Sequence, residues 1–191
     1  HDVTRFLSRA AKQIGSNPVE QAWTSPPAAP DSDDPYDRLF LAFAFLLGQP
    51  GVPLVYYGDE IGLPGTADPD NRRMMKFDAA LSAREKKLLD RVKIMAKARG
   101  TLPGLRRGAR RTLFTDGDGY VFARGASKNI VLVAINRGTT ARTAKVTIPP
   151  ELGVPDGTVL KDLLGGPNVT VGTGGTFDMP FGAKNAALYT R

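Results

Sequence analysis

The chain has 191 residues, 41% of them hydrophobic and 24% charged, which is the usage of an ordinary globular protein with one large or two small domains. Its formal net charge is +7 at pH 7, and the absence of cysteine excludes disulfides, thiol chemistry and thiolate metal sites. The longest apolar run, residues 39–47, is far shorter than the roughly 20 residues that a membrane-spanning helix needs. The first residues lack a signal-peptide pattern, and we expect a soluble protein whose compartment the sequence leaves undetermined.

The first strongly patterned segment, residues 34–47, predicts a buried helix. Asp34 is a favourable N-cap, and Pro35 fits the first helical turn. Seven of the nine residues in the range 39–47 are large and apolar, so the helix has almost no polar face and is expected to lie inside the fold. Gly48 is expected to end it.

A buried β-strand is predicted next, over residues 52–57, where an apolar and aromatic run ends at Gly58. The loop after it is crowded with charged and amide side chains: Asp59, Glu60, Asp68, Asp70, Asn71 and Arg72. In α/β folds, loops at the carboxyl ends of strands usually carry the binding and catalytic groups. Spacing alone favours a simpler interpretation, in which Asp68 and Arg72 form a surface ion pair on an ordinary solvated loop.

A second helix is predicted from Ser82 to about Arg99. Ser82 and Glu85 have the spacing of a capping box, in which each side chain binds the backbone of the other residue. Gly100 is expected to close the helix, with Arg99 in the last turn, where the helix dipole favours a cation. Apolar side chains recur at helical spacing, which is typical of an amphipathic outer helix. They are Leu81, Leu88, Val92, Met95 and Ala96.

From about Leu105 the pattern changes to short β runs separated by the turn sequences DGDG, NRGTT, VPDG, GGPN and GTGG. The runs lie at residues 112–114, 120–122, 130–135, 145–148, 159–160, 169–171 and 186–189. Spacing of this kind indicates an antiparallel β-sandwich. The DGDG sequence lacks the further ligands and the terminal glutamate of a calcium-binding loop, so a hairpin turn is the better interpretation.

Two strings in the sequence resemble motifs of one enzyme family. Residues 51–72, GVPLVYYGDEIGLPGTADPDNR, closely resemble the eighth barrel strand and following loop of glycoside hydrolase family 13, the α-amylase family, and most of all its neopullulanase and cyclomaltodextrinase branch. The chain begins HDVTRFLS, which resembles the Asn-His-Asp motif at the end of the seventh strand. His1 and Asp2 match the last two positions of that motif. Two motifs in the family's order are a more specific signal than either one alone.

The resemblance implies an architecture with an α/β part and an all-β part. Residues 1–104 would be the last strands and helices of a (β/α)8 TIM barrel, and residues 105–191 a C-terminal antiparallel β-sandwich of the α-amylase type. The resemblance also implies a retaining glycoside hydrolase or transglycosylase that acts on α-glucans or maltooligosaccharides.

The resemblance further implies roles for four residues. Asp2 matches the family's third carboxylate, which stabilises the transition state, and His1 matches its hydroxyl-binding neighbour. Asp68 and Arg72 match the loop pair that holds glucose hydroxyls beside the cleavage point, since a carboxylate and a forked guanidinium can fix neighbouring hydroxyls.

The bond-breaking groups, by the same resemblance, lie outside this sequence. Retaining hydrolysis needs a nucleophilic carboxylate and a general acid about 5 to 5.5 Å apart, and family members carry them on the fourth and fifth strands. Asp59 and Glu60 are expected to be structural. We therefore expect a C-terminal piece of a longer enzyme, inactive alone, whose partners are the substrate and the upstream remainder of the barrel. No cofactor or metal is expected in this piece, because the family's calcium sites lie mainly upstream.

Two other classes of function remain open from the sequence. The sandwich could be a carbohydrate-binding or interaction module preceded by remnant helices. Residues 72–111 carry fourteen Lys or Arg and only three acidic residues, a stripe that could bind nucleic acid. The stripe has no recognition-helix, zinc-spacing or aromatic RNA-binding pattern beside it, so a solvated helix face is favoured and no nucleic-acid partner is expected. Neither class accounts for the YYGDEIG string.

Overall fold

The computed structural model describes residues 3–191, so His1 and Asp2 lie outside the described residues and their roles stay predictions. The chain divides into two compact units. The first, here called the helical unit, comprises the residues up to Phe40 together with Leu54–Val92. The second, here called the sheet unit, comprises Leu41–Pro53 and Lys93–Arg191. In the described part of the chain, no helix is both long and apolar enough to cross a membrane.

Five α-helices occur among residues 3–191, and three short 3₁₀ turns lie between the third and the fourth helix. The helices are α1 (Phe6–Ala10), α2 (Pro18–Thr24), α3 (Asp34–Gly48), α4 (Ala83–Thr101) and α5 (Pro103–Arg107). The 3₁₀ turns are Asp59–Ile61, Asp70–Arg72 and Asp78–Ala80. Helices α3 and α4 each have residues in both units.

The helix predicted over residues 34–47 is confirmed as α3. The Asp33 carbonyl accepts the first helical hydrogen bond, from the Asp37 amide at 2.9 Å, so the N-cap is Asp33, one residue before the predicted cap. Most of its apolar side chains are buried, as its composition indicated. They are Tyr36, Leu39, Phe40, Leu41, Phe43, Ala44 and Leu47.

Two buried arginines cap the carboxyl end of α3 within the sheet unit. Arg99 Nη1 donates to the carbonyls of Leu47 at 2.7 Å and Gln49 at 2.8 Å, and Nη2 donates to the Gly51 carbonyl. Arg124, 1% exposed, donates from Nη1 to the Gly48 carbonyl at 2.6 Å, and burial lowers its pKa. These cations satisfy carbonyls that a helix end leaves without partners.

The strand predicted over residues 52–57 does not form, and its expected burial is wrong as well. The segment has no strand pairing, and Val52 and Leu54 are 97% and 88% exposed. A β-strand needs a neighbouring strand for its backbone hydrogen bonds. Every strand among the described residues lies at or after Arg110, so the apolar run has no ladder to join.

The second predicted helix is confirmed as α4, including its capping box. The Ser82 amide donates to Glu85 Oε2 at 2.7 Å, and the Glu85 amide donates to Ser82 Oγ at 3.3 Å. The helix continues to Thr101, past the predicted stop at Gly100. Leu88, Val92 and Met95 are buried as predicted, whereas Ala96 is exposed.

The sheet unit contains two antiparallel sheets. The six-stranded sheet has the order β1-β2-β3-β8-β5-β6, and the two-stranded sheet pairs β4 with β7. The strands are β1 (Arg110–Thr115), β2 (Gly119–Arg124), β3 (Val131–Asn136), β4 (Arg142–Thr147), β5 (Val159–Asp162), β6 (Val169–Thr170), β7 (Thr176–Phe181) and β8 (Asn185–Thr190). One apolar core takes side chains from both sheets, for example Leu132 of β3 and Met179 of β7.

Strand β7 was not among the predicted runs, because Pro180 interrupts its pattern. Proline lacks a backbone donor and is tolerated only where a strand has a free edge. Strand β7 pairs with β4 alone, so each of the two strands has such an edge.

The DGDG hairpin turn is confirmed. The Asp116 amide donates to the Gly119 carbonyl at 3.0 Å, and Asp116 Oδ1 accepts from the amides of Asp118 at 2.9 Å and Gly119 at 2.6 Å. The Asp116 carboxylate also pairs with Arg142 of the other sheet.

Candidate functional site

The predicted site lies on the loop that follows the exposed segment at residues 52–56, and a buried arginine fixes this loop. Arg5, 3% exposed, donates from Nε to the Asn71 carbonyl at 2.8 Å. Its Nη1 donates to the Tyr57 carbonyl at 2.7 Å and to Asp59 Oδ1 at 2.9 Å. The guanidinium also lies 4.2 Å from the ring centroid of Tyr56, within cation–π range. Arg5 therefore ties the start of the chain to both ends of the loop.

Gly65 allows the two segments to approach closely. The Arg5 amide donates to the Gly65 carbonyl at 3.0 Å, and the Gly65 amide donates to Ser8 Oγ at 3.0 Å. A Cβ atom at Gly65 would lie 2.8 Å from the Asp70 carbonyl oxygen and 2.9 Å from the Asn71 Cα. Both are backbone atoms that cannot rotate away, so this position requires glycine.

Asp70 and Arg73 stabilise the loop internally. Asp70 Oδ2 accepts from the Thr66 amide at 2.7 Å, and Asp70 Oδ1 accepts from Arg73 Nε at 2.7 Å. Arg73 Nη2 donates to the Pro27 carbonyl at 2.8 Å, while the Arg73 carbonyl accepts from the Tyr57 hydroxyl at 3.0 Å. Since both side chains have partners within the protein, they are fitted to support the loop.

Asp68 and Arg72 are brought together at the surface of this loop. Arg72 Nε lies 3.0 Å from Asp68 Oδ1, and the two side chains are 45% and 53% exposed. An ion pair this exposed contributes little to stability. This geometry fits the interpretation of Asp68 and Arg72 as a surface ion pair. It also fits a hydroxyl-binding pair, because a carboxylate and a guanidinium lie side by side and face solvent.

The segment that follows His1 and Asp2 in sequence contacts the same loop. Asn71 Nδ2 donates to the carbonyl of Val3 at 3.1 Å, and Asn71 directly precedes Arg72. The structure therefore brings residues 3–5 of the string HDVTRFLS into contact with the end of the string at residues 51–72.

Asp59 has the partners of a structural group. It accepts from Arg5, and it opens a 3₁₀ turn after Gly58, whose φ of 84° favours glycine. Burial raises the pKa of Asp59, and the Arg5 hydrogen bond acts in the opposite direction. Neighbouring Glu60 has a buried Oε2 atom without a hydrogen-bond partner among the described residues.

Two open concavities in the described chain lie elsewhere. One, about 460 Å³, is on the sheet unit and is lined by Arg142, Phe181 and Tyr189 among others. The other, about 480 Å³, is on the helical unit between residues 10–13 and 28–38. Neither is lined by Asp68 or Arg72. Residues 3–191 also contain no group of three or more His, Asp or Glu side chains that could hold a metal ion.

Arg5 is a functional residue that the sequence does not reveal, although it lies within the string HDVTRFLS. Its function in the fold depends on acceptors 52 to 66 residues away, which no local pattern identifies. The one available signal is its place in the sequence, three residues after the predicted site residue Asp2.

Comparison with known proteins finds relatives named as a cyclomaltodextrin glucanotransferase and an amylopullulanase. No protein-family model matches the chain. A cyclomaltodextrin glucanotransferase from Bacillus licheniformis is 33% identical over 159 residues, which cover 80% of this chain and 21% of the relative. An amylopullulanase from Thermoanaerobacter thermohydrosulfuricus is 32% identical over 188 residues, which cover 91% of this chain and 12% of the relative.

A solved structure agrees with these relatives. The crystal structure of an Anoxybacillus α-amylase matches with a TM-score of 0.75 and 30% identity, over 99% of this chain and 36% of the other. The chain thus spans about a fifth or less of the two relatives' length. The branch suggested by the motifs, that of neopullulanase and cyclomaltodextrinase, stays a prediction. The sequence and fold similarities agree with both strings, and the chain matches the C-terminal part of enzymes of glycoside hydrolase family 13, the α-amylase family.

Proposed function

We propose that this chain is part of a retaining enzyme that hydrolyses or transfers α-glucan chains. In this proposal residues 1–104 complete a (β/α)8 barrel and residues 105–191 form the β-sandwich that follows it. The nucleophile and the general acid belong to residues outside this sequence. The relatives' names support an α-glucan substrate, and the observation that carries the proposal is the joint placement of the two strings by Arg5 and Asn71.

The roles of the site residues follow from their chemistry. Asp68 and Arg72 hold hydroxyls of one glucose unit, since a carboxylate accepts and a guanidinium donates hydrogen bonds. Asp2, preceded by His1, stabilises the positive charge that develops at the sugar ring in the transition state. Because this chain supplies binding and electrostatic groups only, its contribution is to hold the substrate while other residues break the bond.

The exposed segment at residues 52–56 supports a barrel partner. Val52 and Leu54 are almost fully exposed, and the segment's backbone lacks a strand neighbour. Parallel barrel strands are buried on both faces. Neighbouring strands from the rest of the enzyme would cover these side chains and pair this backbone.

The basic stripe at residues 72–111 supports a nucleic-acid function less well than the two strings support an α-glucan enzyme. At least seven of its cations form ion pairs with carboxylates within the protein, including Lys76 with Glu85 and Arg111 with Glu151. Cations that bind phosphate must be available for it.

The test compares the isolated 191-residue chain with the whole enzyme expressed from its complete reading frame. We expect no cleavage of maltooligosaccharides by the isolated chain and robust cleavage or transfer by the whole enzyme. In the whole enzyme, Asp68→Ala and Arg72→Ala should each lower kcat/KM by about tenfold or more, the value of a hydrogen bond to a charged group. Asp31→Ala, which removes an exposed aspartate elsewhere in the helical unit, is the control. Activity of the isolated chain, or of neither protein, would contradict the proposal.

A further inference from the structure

The helical unit buries a positive charge that its surroundings neutralise only in part. The Arg5 side chain is 2% exposed, and its ion-pair partner Asp59 is 29% exposed. Arg5 Nη2 has no hydrogen-bond partner among the described residues. Taking a guanidinium out of water is costly, and a neutral side chain of similar size would fill the same space without that cost. Packing alone therefore does not explain an arginine at this position.

The shape of the guanidinium does explain it. Its Nε edge reaches the Asn71 carbonyl, and its Nη1 reaches the Tyr57 carbonyl and Asp59. The rigid guanidinium thus binds two segments that are twelve or more residues apart in sequence. The Arg5 backbone amide binds a third segment, at the Gly65 carbonyl. A lysine ammonium carries the same charge but lacks this fixed fork, so it cannot hold the same points at set distances.

The held segments are those that carry the predicted site. Arg5 lies three residues after Asp2, and its acceptor Asn71 precedes Arg72. Asn71 also donates from Nδ2 to the Val3 carbonyl at 3.1 Å, so a side chain and a backbone carbonyl of one residue both bind the start of the chain.

We infer that Arg5 is a positioning residue for the glucan site. It sets the distance between the segment that follows Asp2 and the loop that carries Asp68 and Arg72. It touches no substrate and acts through Asn71 and Gly65. This inference rests on the function proposed above.

The test uses the whole enzyme with Arg5→Lys, which keeps the charge and removes the fork. Arg9→Lys is the matched control, because Arg9 lies in α1 at the surface and bonds to Thr4. The readout is KM for maltoheptaose, which does not depend on how much of the enzyme is folded. We expect Arg5→Lys to raise this KM by about tenfold, because a displaced loop loses binding energy for the glucose unit that Asp68 and Arg72 hold. Arg9→Lys should leave it unchanged.

Hydrogen exchange of residues 65–73 gives a second measurement that needs no activity. We expect Arg5→Lys, but not Arg9→Lys, to speed exchange in this loop at least about tenfold, since the loop then opens more readily. If Arg5→Lys does not fold, Asn71→Ala, which cuts the side-chain bond to Val3, replaces it in both measurements.

The outcomes separate the two proposals. A wild-type enzyme without activity on any α-glucan overturns the proposed function, and the hydrogen exchange still decides whether Arg5 positions the loop. An active wild type whose Arg5→Lys variant keeps the wild-type KM overturns the positioning role alone. Unchanged exchange in residues 65–73 overturns it as well.

Discussion

Asp116 shows how one carboxylate joins a turn to both sheets of the sheet unit. It accepts from two amides of its own turn and pairs with both Nη atoms of Arg142. The Arg142 hydrogen bonds, followed by those of the Gly119 and Asp118 amides, hold the pKa of Asp116 well below its usual range. The folded state therefore favours the ionised form more strongly than the unfolded state does.

The depressed pKa of Asp116 predicts a dependence of stability on pH. Its contribution is present above the ordinary aspartate pKa of 3.8 and is lost progressively as the pH falls from that value towards the lower folded-state pKa, because the unfolded chain takes up a proton that the folded Asp116 does not. We expect the free energy of unfolding to fall between about pH 6 and about pH 2.5 by more in the wild type than in Asp116→Asn. Urea unfolding at each pH measures it. Arg142→Met removes the same pair from the other side and should reproduce the smaller fall, and equal falls in all three proteins would contradict this.

At the scale of elements, α4 begins with a reciprocal pair of backbone caps. Ser82 and Glu85 each bind the other's amide, and Glu85, 1% exposed, also pairs with Lys76. Burial acts to raise the pKa of Glu85, but the Lys76 and Ser82 bonds outweigh it and the pKa is lowered. A charged group at a helix start is favourable because of the helix dipole.

Removing the Ser82 cap should therefore destabilise the chain measurably. We expect Ser82→Ala to lower the free energy of unfolding by about 1 kcal/mol, the usual value of a lost N-cap. Ser82→Thr, which keeps a hydroxyl, should lose less. Ser16→Ala at an exposed loop position is the control for urea unfolding, and a Ser82→Ala loss no larger than that of Ser16→Ala would show that the cap contributes nothing.

How far the elements follow from the sequence depends on where their partners lie. The helices α3 and α4 and the DGDG turn were predictable, because capping residues, helical spacing and turn sequences act within a few positions. The pairing of Asp68 with Arg72 was equally local. The strand at residues 52–57 failed because pairing is not a property of one segment. The buried role of Arg99 was invisible because its acceptors lie about fifty residues away.

At the scale of the whole molecule, the isolated chain exposes apolar side chains beside unpaired backbone. Val52 and Leu54 are the clearest case, and unpaired extended segments with apolar side chains favour association between chains. The predicted β runs after residue 105, in contrast, pair with strands that lie within residues 110–190.

We expect the isolated chain to self-associate through this segment. The double variant Val52→Thr and Leu54→Thr should weaken association by at least about tenfold, since each fully buried apolar side chain contributes about 1.5 to 3 kcal/mol. Analytical ultracentrifugation measures it. Met74→Thr, which removes an apolar side chain that is 88% exposed in another loop, is the control. Equal association of the double variant and the wild type would exclude this segment as the contact.

The two arginines that cap α3 determine when the end of this helix can be capped during synthesis. Arg99 follows its acceptor Leu47 by 52 residues, and Arg124 follows Gly48 by 76. A chain that leaves the ribosome amino terminus first therefore makes this helix long before it makes the cations that cap it. The Leu47 carbonyl must bind water until residue 99 has emerged, and the Gly48 carbonyl must do so until residue 124 has emerged. The capping of this helix is therefore completed only after the first two β-strands have been synthesised.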